Sequence, residues 1–232
     1  MITTLLTFGL SLLATTGAGP LSAQMPWSMA STTDVKVPVT LGVMSRCPDA
    51  LLCESVFNKV LPKVEGKIDL ALTYVGRSNE SEPTFGVTCK HGPTECAGNV
   101  QQLCVAKYRP LKTWWSFLQC QNYQGKDKVG NADVALKCAR TSGIDWETSD
   151  VGQCAGLDGS GTGEEGIALL KESVEVTESL GIVNSCTVLI NGEHVCVRDG
   201  EWRECENGHS PQDFVRQIEA AYRELNSGFT MI

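Results

Sequence analysis

Cys47 stands where a cysteine can act as a nucleophile. It follows the apolar, β-branched run Val35–Met44 and immediately precedes Pro48 and Asp49, a proline and an acid that suit the first turn of a helix. A sulfur there faces unpaired backbone N–H groups and the positive end of the helix dipole. Both favour the thiolate, the form that attacks disulfides, and Arg46 adds a neighbouring cation. The competing reading, in a chain of 11 cysteines, is a structural bridge.

A helical redox pair would place its second thiol one turn on, where this chain has Ala50. Cys53, six residues from Cys47, lies a rise of roughly 9 Å along a helix, beyond the ~7 Å Cα separation that a bridge tolerates. Cys53 therefore reads as a buried core thiol, or as a resolving thiol if the first turn is irregular. Cys186 begins a late strand and is a second candidate resolving thiol.

A denser cluster runs from Cys89 to Cys104, with Cys89, His91, Gly92, Glu95, Cys96, Asn99 and Cys104 in 16 residues. Its glycine and proline shape a tight loop that enters a short helix. Cysteine and histidine are proper zinc ligands, but paired C-x2-C knuckles are absent and an oxidising compartment favours disulfides, so no metal is expected. His91 reads either as a proton donor or acceptor or as a hydrogen-bonding brace for the loop. Cys196 and Cys205 flank the Asp199-Gly200 turn and should pair locally. Cys120, Cys138 and Cys154 tie together their own region, with connectivity open.

The elements that must hold these residues follow from the pattern. Val35–Met44 reads as a buried strand and Pro48 opens a helix whose apolar stripe is Leu52, Val56 and Val60, with Cys53, Phe57 and Leu61 beside it. Lys67–Val75 alternates as a second strand. This is a βαβ unit over residues 35–77, with a right-handed crossover. Residues 78–163 are broken by Pro110 and many glycines and read as a helical, disulfide-tied insertion. From 164 to 232 the chain reads helix, hairpin, helix: Glu164–Leu180 stopped by Gly181, two strands about Asn191-Gly192, which suits a type I′ turn, and a helix opened by Ser210-Pro211. Without the insertion the order is β-α-β, α-β-β-α. That is an α/β, thioredoxin-like fold with a disulfide-rich helical insertion, and in such folds the loop before the late hairpin, here at Cys186, lies beside the active cysteine.

The remaining bounds concern traffic and partners. The 232-residue chain is 42% hydrophobic, with a net charge of −8 that argues against nucleic acid as a partner. The run Leu5–Ala14 is too short to span a bilayer, and residues 1–23 read as a signal peptide, followed by a mobile segment over 24–34. No later segment is apolar enough to cross a membrane. Asn79-Glu80-Ser81 is a glycosylation sequon.

The spacing Cys89-Lys90-His91-Gly92-x2-Glu95-Cys96-x2-Asn99-x4-Cys104 resembles the signature of the gamma-interferon-inducible lysosomal thiol reductase family, C-Q-H-G-x2-E-C-x2-N-x4-C, with Lys90 for glutamine. The similarity extends from about Val35 to the final helix. The Cys-Pro-Asp-Ala-x-x-Cys form resembles a divergent, fungal-type branch. The resemblance implies reduction of protein disulfides in an acidic endosomal, lysosomal or vacuolar compartment, or after secretion; the mixed disulfide on Cys47 would be resolved by Cys53, Cys186 or an external small thiol, and no cofactor is expected. It places the attacking cysteine of C-x-x-C at Cys47, leaves its partner's place to Ala50, and puts Cys186 where the family has a cis-proline. A second reading, from a different class, is a catalytically impaired secreted binding or scaffold protein on the same fold.

Overall fold

Strand β1 (Val37–Val43) forms from the expected β-branched run, and its residues Val37, Val39, Leu41 and Val43 are wholly buried. The computed structural model describes residues 34–227. The signal-peptide reading over 1–23 lies outside them, as does all of the 24–34 segment except Asp34. After β1 come helix α1 (Pro48–Val60) and strand β2 (Ile68–Tyr74), which pairs parallel to β1 with Val39 opposite Leu70 and Leu41 opposite Leu72.

A short hairpin, β3 (Arg77–Ser78) and β4 (Val87–Thr88), then leads into four helices: α2 (Pro93–Tyr108), α3 (Leu111–Tyr123), α4 (Ala132–Thr141) and α5 (Asp150–Ala155). Helix α6 (Glu164–Ser179) returns the chain to the sheet. It precedes β5 (Thr187–Ile190), β6 (Glu193–Asp199), β7 (Glu201–Arg203) and the final helix α7 (Pro211–Ser227). The sheet order is β2-β1-β5-β6-β7, antiparallel beyond the β1–β2 pair. The expected turn is present at Asn191-Gly192, where both φ angles are positive (53° and 84°), the condition a type I′ turn imposes.

Helices α1 and α7 pack together over β1, β5 and β6. Phe57 meets Phe214 with ring centroids 5.1 Å apart, and both rings are fully buried. Helix α6 covers β2 on the opposite side of the register pair Gly42–Thr73. The Thr73 hydroxyl donates to the Ser173 carbonyl at 2.8 Å, and a Cβ on Gly42 would come within 2.5 Å of Ile182. A side chain at Gly42 would therefore push the segment after α6 off the sheet.

The expected apolar stripe of α1 is displaced. Leu52 is 52% exposed, whereas Ala50, Cys53, Glu54, Phe57 and Val60 are buried. The rotation arises because α1 is covered by the sheet, by α7 and by α3, so the inward face spans more than one stripe.

The helices after β4 join the sheet through a polar seam. The Tyr74 hydroxyl donates to Gln102, Gln102 to Gln121, and Gln121 to Gln101, which donates to the carbonyls of Gly130 and Gly159, all within 2.7–3.1 Å. Each buried amide is thus satisfied, as burial requires. Cys120–Cys138 joins α3 to α4, and Cys104–Cys154 joins α2 to α5 across 50 residues. A loop of that length gives a bridge worth about 4 kcal/mol in the chain-entropy account. Cys196–Cys205 pairs locally, as its spacing suggests.

Candidate active site

Cys47 is the N-cap of α1, in extended backbone (φ −80°, ψ 127°), with Pro48 opening the helix. Its side chain is 9% exposed, and Sγ lies 3.5 Å from the carbonyl oxygen of Ser185, the residue before Cys186. Among the described residues it is the one cysteine outside a disulfide. The Ser185–Cys186 peptide bond is cis, at the position the resemblance gave to a cis-proline. The Ser185 hydroxyl accepts from the Met44 N–H at 2.9 Å, so the two loops that frame the sulfur hold each other.

Cys53 is fully buried, as its place on α1 suggested, but it is not a free core thiol. It is bonded to Cys186, with Cα atoms 6.2 Å apart and a sequence separation of 133. Helical spacing keeps Cys53 from Cys47, and its partner comes instead from the segment entering β5. Cys186, the other candidate resolving thiol, is the sulfur that the fold brings to α1.

Arg46, expected as a cation beside the thiol, turns away. Its guanidinium donates to the carbonyls of Lys126 and Asp127 at 3.1 and 2.6 Å, because these unpaired turn carbonyls lie within its reach. Asp49 instead fastens the other side of the site. Its carboxylate accepts from the Gly200 N–H at 3.1 Å and lies 3.4 Å from the Arg198 guanidinium, which ties the first turn of α1 to the β6–β7 turn. Beside this tie, Leu52, Val56, Trp202 and His209 line an open groove of about 650 Å³.

The Cys89–Cys104 cluster holds the loop that presents Cys47. Cys89 is bridged to Cys96, closing the tight turn onto the first turn of α2, while Cys104 is spent on α5. Pro93 opens α2 after Gly92, whose φ of 86° turns the chain into the helix. Glu95 is wholly buried. One of its oxygens accepts from the His91 N–H at 3.1 Å; the other meets His91 Nδ1 at 2.5 Å and the Arg46 N–H at 3.3 Å. Of the two readings of His91, the geometry matches the brace.

Asn99, one turn further on the same face, accepts from the Ser45 N–H at 3.1 Å and donates to Cys89 Sγ at 3.6 Å. Between them, Gly98 leaves room for the loop, since a Cβ there would lie 2.7 Å from Ser45 Oγ. Glu95 and Asn99 thus satisfy two consecutive backbone N–H groups directly before Cys47. A buried carboxylate and a buried amide are stable only when so paired. Asn79 sits apart from this site, in the β3–β4 hairpin, where its amide donates to Thr88 at 2.9 Å.

Comparison with known proteins accords with this arrangement. Residues 38–142 match the family model described as gamma interferon inducible lysosomal thiol reductase (GILT). This span contains Cys47, Cys53 and the whole Cys89–Cys104 cluster. GILT-like protein 1 of Drosophila melanogaster is 28% identical over 175 residues, 67% of this chain and 66% of its own length. The chain is similar to the GILT family over this span. The alignment spans just under two thirds of that relative.

Solved structures similar to this chain include MdbA, a thiol-disulfide oxidoreductase from Corynebacterium diphtheriae, with a TM-score of 0.53, 18% identity, and coverage of 82% of this chain and 86% of that one. DsbG from Mycobacterium tuberculosis gives 0.51 at 14% identity, covering 87% and 92%. DsbA1 from Neisseria meningitidis gives 0.51 at 15%, covering 91% and 98%. These likenesses establish the thioredoxin-like fold. The sequence contained one overlooked signal for how the site is held: Glu95 and Asn99 are four residues apart, hence on one helix face, with Gly98 beside them.

Proposed function

We propose that the protein is a thiol–disulfide oxidoreductase that reduces disulfides of protein substrates, with Cys47 as the attacking thiol. The observation that carries this reading is a single free cysteine at the N-cap of α1, set against the Ser185–Cys186 loop and held there by the conjoined Glu95, Asn99 and Asp49 contacts. In the proposed reaction the Cys47 thiolate attacks one sulfur of the substrate disulfide. The other sulfur leaves as a thiolate and takes up a proton, and a mixed disulfide with Cys47 remains. A low-molecular-weight thiol is the proposed ultimate reductant.

The family, the five disulfides and the −8 charge support a secretory or lysosomal setting, and a signal peptide over 1–23 and a glycan on Asn79 belong to the same proposal. The test is reduction of insulin disulfides by a small thiol at acidic and neutral pH. The protein is expected to accelerate the reaction well above the thiol alone. Two observations favour the second reading, a binding or scaffold protein: Ala50 in the place of a second cysteine, fully buried, and the low exposure of Cys47. No acceleration at either pH would select it.

A further inference from the structure

The Cys53–Cys186 bridge crosses the fold at the one place where a free thiol adjoins it. Cys53 comes from the second turn of α1, and Cys186 from the segment that enters β5. Both sulfur-bearing residues are 0% exposed, so no thiol in solution reaches the bridge directly. Cys47 borders both solvent and this buried pair: it retains 9% exposure, and its Sγ touches the backbone of Ser185, the residue bonded to Cys186. The other four bridges join elements of the helical region, or β6 to the loop after β7, and none has a member on α1.

We propose that Cys186 and Cys53 are catalytic residues that resolve the Cys47 mixed disulfide in sequence. This inference rests on the reading of Cys47 as the attacking thiol. In the form with all three thiols reduced, Cys47 takes the substrate as above. The Cys186 thiolate then attacks Cys47 Sγ; the substrate sulfur leaves as a thiolate and is protonated, and a Cys47–Cys186 bond forms. The Cys53 thiolate next attacks Cys186 Sγ and expels the Cys47 thiolate, which restores the observed Cys53–Cys186 bond and the observed free Cys47. Two electrons and two protons pass from the Cys53 and Cys186 thiols to the substrate disulfide.

Recharging runs backwards and consumes two molecules of a low-molecular-weight thiol, which leave joined as their disulfide. The order is dictated by reach. Cys47 and Cys53 are six residues apart on one helix, a rise of roughly 9 Å, and do not bridge each other; Cys186 is bonded to Cys53 and follows Ser185, whose carbonyl Cys47 Sγ faces. In this scheme the pair supplies what Ala50 cannot.

The test uses full-length Cys53→Ser and Cys186→Ser proteins and an aromatic disulfide reagent, dithiobis-nitrobenzoate. In Cys53→Ser the relay predicts two equivalents of nitrothiolate per protein and a Cys47–Cys186 bridge found by peptide mapping. In Cys186→Ser it predicts one equivalent and a lasting adduct on Cys47. A lasting Cys47 adduct in both variants would overturn the relay and leave Cys47 as the nucleophile. No adduct on Cys47 in either variant, with no bridge, would overturn both readings.

The wild-type fold supplies a second measurement, in case a variant fails to fold. Under a small thiol in native conditions, the Cys53–Cys186 bridge should open at least tenfold faster in wild type than in Cys47→Ser. Equal opening would make it a structural bridge only.

Discussion

Cys47→Ser is expected to lower disulfide reduction on the order of 10³-fold or more, to the rate of the small thiol alone. A serine hydroxyl is not ionised under these conditions and does not form a mixed disulfide, so the loss falls on the first bond-forming step. Structure should be preserved. Serine is close to cysteine in size, and its hydroxyl can donate to the Ser185 carbonyl that Cys47 Sγ now faces at 3.5 Å. The change in unfolding free energy should therefore stay within about 1 kcal/mol. Steady-state reduction assays and urea unfolding on the same samples check both parts. A variant that loses activity only in proportion to lost folded protein would speak against a chemical role.

The second large effect concerns Glu54, one residue along α1 from Cys53. Its carboxyl is fully buried; one oxygen accepts from the Asn122 amide at 2.5 Å, and the other has no hydrogen-bond partner among the described residues. Burial raises its pKa from 4.5 to about 8, against a smaller opposing pull from the Asn122 hydrogen bond. Tyr74, the neighbouring titratable group, is pushed further above its usual range by burial and by Glu54, and stays neutral.

The direction of the pH effect follows. Below pH 4.5 the carboxyl is protonated in both folded and unfolded chains. Between pH 4.5 and about 8 the unfolded chain releases this proton while the fold retains it, so stability falls as pH rises, and it levels off above. At ~1.36 kcal/mol per pKa unit, the loss amounts to roughly 3–5 kcal/mol. Glu54→Gln keeps the shape and the Asn122 contact without the titration. Unfolding free energy measured from pH 4 to 9 should decline in wild type relative to the variant, and parallel curves would contradict this assignment. Under acidic conditions the neutral carboxyl avoids the cost of burying a charge.

The parts of the fold that were readable in sequence are those with local causes. The β1–α1–β2 unit followed from a β-branched run, Pro48 as a helix opener and a second alternating run; the late hairpin followed from Asn191-Gly192. The parts that were not readable depend on what covers each surface. Gln101, Gln102 and Gln121 are polar yet buried, because they satisfy one another across α2 and α3. Leu52 looked like core, since Leu52, Val56 and Val60 share a helical stripe, but the sheet, α7 and α3 cover a face rotated from it. The Cys53–Cys186 pairing joins residues 133 apart and needed the sheet order before it could be seen. The Cys89–Cys104 spacing carried the family resemblance, but not the reason for it: Glu95 and Asn99 do their work on Ser45 and Arg46, some 50 residues earlier in the chain.

The central claim, that Cys47 is the reactive thiol, is tested most directly by alkylating the native, unreduced protein and mapping the labelled peptides. The account predicts a single label at Cys47, with Cys53–Cys186 and the other four bridges intact. A Cys47 that resists labelling until the protein is denatured, or that is recovered in a bridge, would contradict it.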